Sequence, residues 1–230
     1  MRILLIAGHG AGDPGATAQI GENYLREADE TRILVQNLFA ELSSKYLVDV
    51  GIFSPDRNAN ADLKCGKLPK EVFEDYDYVL EIHFNAYKSS KADGHTKGVE
   101  CYVTTSEKSV GVETLICQKV AALGLTNRGV KRKNYDVISA AKRNGVSSAL
   151  LECCFIDDPD DVAVYSRNKK AMATAIAEGI ALGFGLAKKP RSNREILQYT
   201  CGLADSTMEY LDRYRWSEDL YRKIVEKLAK

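Results

Sequence analysis

The sequence has no excess of charge of either sign, because its 32 Lys and Arg residues balance its 32 Asp and Glu residues. A chain of zero net charge has no long-range field that favours nucleic acid or an anionic lipid surface as a partner. The sequence also lacks any apolar run near the roughly 20 residues that are needed to span a bilayer. We therefore expect a soluble globular protein that does not bind nucleic acid and has no integral membrane segment.

A secretion signal is also missing from the start of the sequence. The chain begins directly with an apolar, strand-like run, without the basic segment, apolar segment and small-residue cleavage site of a signal peptide. We therefore expect the protein to be made, and at first to remain, in the cytoplasm of the producing cell.

The six cysteines include no C-x-x-C pair. Cys101, Cys153 and Cys154 lie in apolar, strand-like runs, and Cys117 lies in a helical pattern. This distribution favours buried free thiols in a reducing compartment. A cysteine-ligated zinc ion or a cysteine nucleophile stays open as the alternative.

Strand-like and helix-like patterns alternate along most of the chain, which predicts an α/β fold with a mostly parallel or mixed sheet and helices on both faces. The composition changes at Lys188-Lys189-Pro190, so we place a catalytic or binding domain at 1–187 and a small helical module at 188–230. We also predict a helix over about 23–43, a short strand at Val137-Ile138, and a last helix with Ser217 as its N-cap and an apolar stripe of Leu220, Ile224 and Leu228.

The C-terminal module is rich in aromatic residues. Too few residues are present to bury much area alone, so we expect the module to pack on the main domain, self-associate or bind a surface. Aromatic rings are common at interfaces and stack on sugar rings, although the same rings could form a small core. The aromatic residues concerned are Tyr199, Tyr210, Tyr214, Trp216 and Tyr221.

Two of the three histidines follow strand-like runs. His9 stands just beyond Ile3-Leu4-Leu5-Ile6-Ala7, and His83 stands just beyond Tyr78-Val79-Leu80-Glu81-Ile82. Ligands of open α/β sheets bind beyond the carboxyl ends of the strands, so two imidazoles placed there could converge on a metal ion. A zinc site is the leading hypothesis, and two hydrogen-bonded structural histidines are the alternative.

Two carboxylates could complete such a site. Glu27 leads the inward stripe of the first helix, next to the His9 loop, and is a candidate third ligand unless it merely complements the helix dipole. Glu152 lies within an almost wholly apolar run, where a carboxylate costs several kcal/mol unless it is paired or neutralised. It is a candidate general base, or else one half of a structural ion pair. We expect His95, in the polar 87–98 loop, to be exposed to solvent.

Four segments, taken in order, resemble the zinc N-acetylmuramoyl-L-alanine amidases of the amidase-3 type, which are bacterial cell-wall hydrolases and phage endolysins. The resemblance covers roughly residues 1–187, and Asn127-Arg128-Gly129-Val130 is similar to a further family segment. The four segments are Gly8-His9-Gly10 with Asp13-Pro14-Gly15-Ala16, Arg26-Glu27-Ala28-Asp29, Glu81-Ile82-His83-Phe84-Asn85-Ala86 and Ala149-Leu150-Leu151-Glu152.

The resemblance implies a roughly six-stranded mixed sheet, one zinc ion per chain held by His9, Glu27 and His83, and catalysis by Glu152. It implies that the substrate is bacterial peptidoglycan, cut at the amide between N-acetylmuramic acid and L-alanine of the stem peptide. Asn85 and Arg128 are candidates for support of the substrate or of ligand geometry.

Within this family the missing secretion signal favours a phage endolysin, stored in the cytoplasm until lysis and then acting on the cell wall. The C-terminal module would then bind the wall or form a homo-oligomer. A spore-mother-cell lysin, a zinc carboxypeptidase and a non-catalytic wall-binding protein stay open. Nucleotide binding by the glycine-rich 8–16 loop is disfavoured, because the Gly-Lys-Ser/Thr of a P-loop is missing.

Overall fold

A computed structural model of the chain describes residues 1–87 and 96–229. His95 and most of the polar 87–98 loop lie outside the described residues, so the exposure of His95 stays a prediction. The chain divides into two compact units, Met1–Ala187 and Lys188–Lys230.

Within the described residues the first unit contains a six-stranded sheet and a separate two-stranded hairpin. The strand order of the sheet is β4-β1-β5-β8-β6-β7, and all neighbours are parallel except β6 and β8. The predicted mixed α/β sheet is therefore confirmed. The strands are β1 (Arg2–Ala7), β2 (Thr17–Ile20), β3 (Asn23–Arg26), β4 (Asp49–Ile52), β5 (Tyr78–Asn85), β6 (Val99–Val103), β7 (Asn127–Arg132) and β8 (Ser147–Phe155).

Helices cover both faces of the sheet, because successive side chains of its strands point to opposite sides. Ile3 and Leu5 of β1 enter a large apolar cluster, whereas Leu4 and Ile6 enter a smaller one on the other face. The larger cluster takes side chains from α1, α4 and α7, and the smaller one from α3 and α5. The helices of this unit are α1 (Glu27–Lys45), α2 (Ala59–Lys64), α3 (Glu71–Glu74), α4 (Gly111–Ala121), α5 (Asp136–Arg143), α6 (Pro159–Arg167) and α7 (Lys169–Phe184).

Two of the local predictions for the first unit are wrong. The helix expected from about residue 23 begins at Glu27, because Thr17–Ile20 and Asn23–Arg26 pair as a hairpin around Gly21, whose φ is 59°. Val137-Ile138 belongs to α5 and not to a strand. Two adjacent apolar residues are compatible with both a strand and a helix. Only the burial of Ala140 and Ala141 shows that the spacing of the apolar residues is helical.

The second unit consists, in its described part, of the helices α8 (Asn193–Cys201), α9 (Asp205–Asp212) and α10 (Ser217–Leu228). Its buried residues are Leu197, Met208 and Tyr221. A capping box between Ser192 and Glu195 begins α8. None of the helices in the described residues of either unit is long and apolar enough to cross a membrane.

The predicted start and stripe of α10 need correction. Ser217 is the first helical residue, and the N-cap position falls on Trp216, which makes no side-chain capping bond. Leu228 is 49% exposed, whereas Tyr221 is fully buried, so the core face of α10 is centred on Tyr221. The stripe of Leu220, Ile224 and Leu228 fails at its last position, because Leu228 is the final residue of the helix.

Candidate active site

Three residues predicted as metal ligands lie together at the carboxyl edge of the sheet. His9 follows β1, His83 lies on β5, and Glu27 is the first residue of α1. One potential ligand atom from each lies within 4.8 Å of the other two. The Glu27 carboxylate lies between the imidazoles: its Oε2 is 3.2 Å from His9 Nε2, and its Oε1 is 2.9 Å from His83 Nδ1.

Glycines make room for this cluster. A methyl group at Gly8 would lie 2.4–2.6 Å from ring atoms of His83, and one at Gly15 would lie 2.6 Å from Glu27 Oε2. Gly15 also has a φ of 65°, in the left-handed region that favours glycine. His9 itself has a φ of 61°, which is uncommon for a residue with a side chain. The glycine-rich loop therefore lets the backbone approach the ligands and turns His9 toward them.

Arg32 anchors the loop that carries His9, and this role was not predicted from the sequence. Its guanidinium donates hydrogen bonds to the carbonyl oxygens of Gly8 and His9 at 3.1 and 2.9 Å, and further bonds to three other carbonyls. Thr31 Oγ1 donates to the Gly8 carbonyl as well, at 3.0 Å. The only signal in the sequence is a polar pair one turn after Glu27, which does not distinguish a loop anchor from a solvated helix face.

Glu27 is held as an anion in a fixed orientation. Its Oε2 accepts from the Ala16 N–H at 2.8 Å, and its Oε1 accepts from the Phe84 N–H at 3.0 Å. Burial alone would raise the pKa of Glu27, but hydrogen bonds and charge from His83 and His9 hold that pKa well below its ordinary value. The carboxylate is therefore ionised over the whole physiological pH range.

The residues present fit a zinc ion. Two histidines and a glutamate form a known catalytic zinc set. Burial lowers the pKa of both imidazoles, but carboxylates outweigh it: Glu81 and Glu27 raise the pKa of His83 well above its ordinary value, and Glu27 and Asp13 raise that of His9. The negative field that retains protons on these rings also attracts a metal cation. His9 is further fixed by Asp13, whose Oδ2 lies 2.8 Å from Nδ1.

Glu152 stands beside this cluster. It lies on β8 directly opposite His83 of β5 in the strand register. Its Oε2 is buried and has no hydrogen-bond partner among the described residues. No Lys or Arg of the described chain forms an ion pair with it, so the structural ion pair that the sequence left open is not observed there. Burial raises the pKa of Glu152 to about 7.

The four residues share one cavity of about 350 Å³. Asn60, Tyr135 and Val137 belong to its wall on the side of the smaller apolar cluster. An open cavity that joins a potential metal site to an unpartnered carboxylate can admit a substrate and transfer a proton to or from it.

Asn85 and Arg128, the candidate substrate contacts, meet at a third buried carboxylate, Glu100. Asn85 Nδ2 donates to Glu100 Oε1 at 2.8 Å, and Arg128 Nε donates to Oε2 at 2.5 Å. Lys131 and Tyr102 bond to the same carboxylate. Asn85 lines the cavity, whereas Arg128 is not among the lining residues.

The cysteines lie outside this site. Cys101, Cys117, Cys153 and Cys154 are buried free thiols, and Cys65 and Cys201 are exposed free thiols. Burial raises the pKa of Cys101, Cys153 and Cys154 well above its ordinary value, so these thiols are poor nucleophiles. The expectation of buried, inert thiols fits these positions.

Comparison with known proteins identifies the family of the chain. The sequence model of the N-acetylmuramoyl-L-alanine amidase family matches residues 3–182. No curated protein matches the chain. The catalytic domain of CwlV, an N-acetylmuramoyl-L-alanine amidase from Bacillus (Paenibacillus) polymyxa var. colistinus, is a similar solved structure with 24% identity and a TM-score of 0.66. The match covers 81% of this chain and 99% of that one.

Two further structures share the fold. AmiC2, an N-acetylmuramoyl-L-alanine amidase of Nostoc punctiforme, has 21% identity and a TM-score of 0.66, over 80% of this chain and 97% of that one. The catalytic domain of the CD27L endolysin targeting Clostridia difficile has 22% identity and a TM-score of 0.58, over 79% of this chain and 97% of that one. The family match runs from β1 to α7 and includes every residue that lines the cavity, and on that match the chain belongs to the N-acetylmuramoyl-L-alanine amidase family.

Proposed function

We propose that this chain is a zinc-dependent peptidoglycan hydrolase that cleaves the amide bond between N-acetylmuramic acid and L-alanine of the stem peptide. The observation that carries the proposal is the convergence of His9, Glu27 and His83 in one cavity with the unpartnered carboxylate of Glu152. Membership in the amidase family supplies the substrate class.

His9, Glu27 and His83 would hold one zinc ion per chain. When bound, zinc would lower the pKa of a water molecule to about 7 and polarise a carbonyl group. Glu152 takes the proton of the attacking water on its free Oε2 and returns it to the leaving amine of L-alanine. Positioned proton transfer of this kind contributes typically ~10²–10⁴-fold to the rate.

The chain's other residues keep this arrangement in place. Arg32 and Thr31 fix the loop that carries His9, and two backbone N–H groups orient Glu27. Asn85 is the proposed contact to the substrate, since its side chain lies at the cavity wall. Arg128 would act at the edge of the same region through Glu100.

Digestion of purified peptidoglycan, followed by analysis of the new ends, tests the proposal. An amidase releases stem peptides with a free L-alanine amine and leaves glycan strands with intact lactyl groups. Release of free D-alanine would identify a zinc carboxypeptidase instead, and binding without any new ends would identify a non-catalytic wall-binding protein. Glu152→Gln serves as the inactive control.

For the biological role we propose host-cell lysis by a phage endolysin. The protein would stay in the cytoplasm of the producing cell until a membrane pore releases it to the wall. The shared fold of the CD27L endolysin catalytic domain agrees with this role. Production in bacteria with and without a pore-forming protein tests it: intact cells that lyse only when the pore is added support the role, and export or lysis without a pore contradicts it.

For residues 188–230 we propose a role in wall binding. Four of the unit's aromatic side chains are more than half exposed and therefore available to stack on sugar rings. Self-association is the competing role, and light scattering at several concentrations distinguishes the two. The exposed aromatic residues are Tyr199, Tyr210, Tyr214 and Trp216.

A further inference from the structure

The two ring nitrogens of His83 face two different carboxylates. Nδ1 lies 2.9 Å from Oε1 of Glu27, the carboxylate that also contacts His9. Nε2 lies 3.2 Å from Glu81 Oε1. Glu81 comes two residues before His83 on β5, so both side chains project from the same face of the strand.

The burial of Glu81 on β5 costs free energy. It is 3% exposed and lies between Leu80 and Ile82, both of which are fully buried in the larger apolar cluster. A buried carboxylate costs several kcal/mol unless a partner compensates for it. Across the described residues, its one ion pair is with His83. The charge of Glu81 is therefore directed at this imidazole.

The far nitrogen of His83 needs a partner. Nε2 is buried, and although Glu81 Oε1 is within hydrogen-bond distance, the contact does not have hydrogen-bond geometry. Elsewhere in the described chain no other carboxylate forms an ion pair with that nitrogen. Glu81 lines the same cavity, but it lies outside the set of residues whose ligand atoms converge, so it contacts His83 without being one of the candidate ligands.

We propose that Glu81 is a positioning residue for the zinc site. With zinc bound, its carboxylate accepts a hydrogen bond from Nε2–H of His83, which fixes the ring orientation and the tautomer that leaves Nδ1 free to bind metal. Histidine ligands are commonly held in this way through their second nitrogen. His9 has the corresponding partner in Asp13, which faces its Nδ1 while Nε2 faces Glu27. The inference rests on the proposed zinc function.

Zinc affinity of the full-length protein, measured by competition with a chelator of known affinity, tests this assignment. Glu81→Leu removes charge and acceptor together and should weaken zinc binding by about 10–100-fold. Glu81→Gln keeps the size and one acceptor oxygen and should recover part of that loss. Glu113→Gln is the matched control, because Glu113 is a buried carboxylate that bonds to Tyr78 Oη at 2.7 Å and is not among the residues that line the cavity. It should bind zinc like the wild type.

Nitrogen-15 NMR of the histidine rings in the wild-type protein gives a second measurement that needs no variant. With zinc added, His83 should carry its proton on Nε2 and show the metal-shifted signal on Nδ1. A proton on Nδ1, or wild-type affinity in Glu81→Leu, would overturn the assignment while leaving the zinc enzyme intact. A wild-type protein that does not bind zinc would overturn both this inference and the proposed function.

Discussion

The two units of the chain place their polar and aromatic side chains in opposite ways. In Met1–Ala187, charged residues such as Glu27, Glu81 and Glu100 are buried, each against a specific partner. In Lys188–Lys230, aromatic rings stay largely in solvent. Burying charge costs free energy, and leaving aromatic surface exposed forgoes stabilisation, so both kinds of placement reduce the stability of the unit that has them.

The two units also differ in how they are held together. The first has two large apolar clusters on the faces of one sheet. The second relies on a small core and a polar link: Asp212 accepts from Arg194 Nη2 at 2.9 Å and from Tyr221 Oη at 2.6 Å. Small units of this size rarely gain more than about 3–5 kcal/mol from a core alone. Under the proposed function, the first unit would carry the chemistry and the second would bind a surface.

The largest expected effect is at the proposed base. Glu152→Gln should keep the fold and bound zinc but lower wall hydrolysis by ~10²–10⁴-fold, because the amide cannot take the proton of water. Hydrolysis rates, zinc content and melting temperature are measured together, with Glu113→Gln as the control for loss of a buried carboxylate. Near wild-type hydrolysis by Glu152→Gln would make Glu152 structural.

Two glycine variants distinguish the effect of backbone strain in the loop from the effect of a steric clash with the metal ligands. Gly12 and Gly15 both have positive φ, 95° and 65°, but a methyl group at Gly12 meets nothing within 4 Å, whereas one at Gly15 collides with Glu27 and His9. Gly15→Ala should weaken zinc binding by at least about tenfold, as expected when a ligand is displaced.

Gly12→Ala is the control for that pair, since it carries the backbone cost without the collision. It should bind zinc nearly as the wild type does in the chelator competition. Equal losses in the two variants would show that the loop's conformation, and not the space at Gly15, governs the site.

Removal of the second unit should affect wall binding but not chemistry. A chain that ends at Lys189 keeps the Ala187 carbonyl that accepts the Leu47 N–H. It should retain zinc and hydrolyse soluble muropeptides at the full-length rate, while sedimenting less with whole cell walls. Loss of zinc or of muropeptide hydrolysis in the folded, shortened protein would place the second unit in the active site and end the proposed division.

The smallest expected effect is at the exposed rings. Tyr210 and Tyr214 line a groove of about 500 Å³ together with Leu211, Arg213 and Leu220. Replacing both tyrosines by serine should weaken wall binding by about two- to tenfold, the equivalent of ~0.4–1.4 kcal/mol, with little change in stability. Tyr199→Ser, which alters an exposed ring outside that groove, is the control, and an equal loss there would argue against a specific groove.

The sequence predicted those parts of the fold in which a long pattern repeats. The buried strands β1, β5 and β8 and the long helix α7 are apolar over many residues, so their type is unambiguous. The edge strand β7 was missed, because Asn127–Arg132 is mainly polar and pairs only with β6. The β2–β3 hairpin was missed because each of its strands is only four residues long.

The residues of the candidate site also fall into those that a sequence pattern predicts and those that it does not. His9 and His83 stood out because each follows an apolar strand, and Glu152 stood out because it interrupts one. Arg32 and Glu81 could not be assigned from sequence, since their roles depend on carbonyl groups and a ring nitrogen that only the folded chain brings near them. Glu81 interrupts an apolar strand in the same way as Glu152, so the sequence carried the same signal for both residues. Nothing in the sequence indicated which residue would be the partner of Glu81.

The most direct test of the central claim is the zinc content of active protein. Elemental analysis of the purified wild type should give one zinc per chain; chelation should abolish wall hydrolysis, and added zinc should restore it. His83→Ala should lose the metal, because two of the three ligands cannot hold zinc tightly. Full hydrolysis by zinc-free protein, or a full zinc content in His83→Ala, would contradict the account.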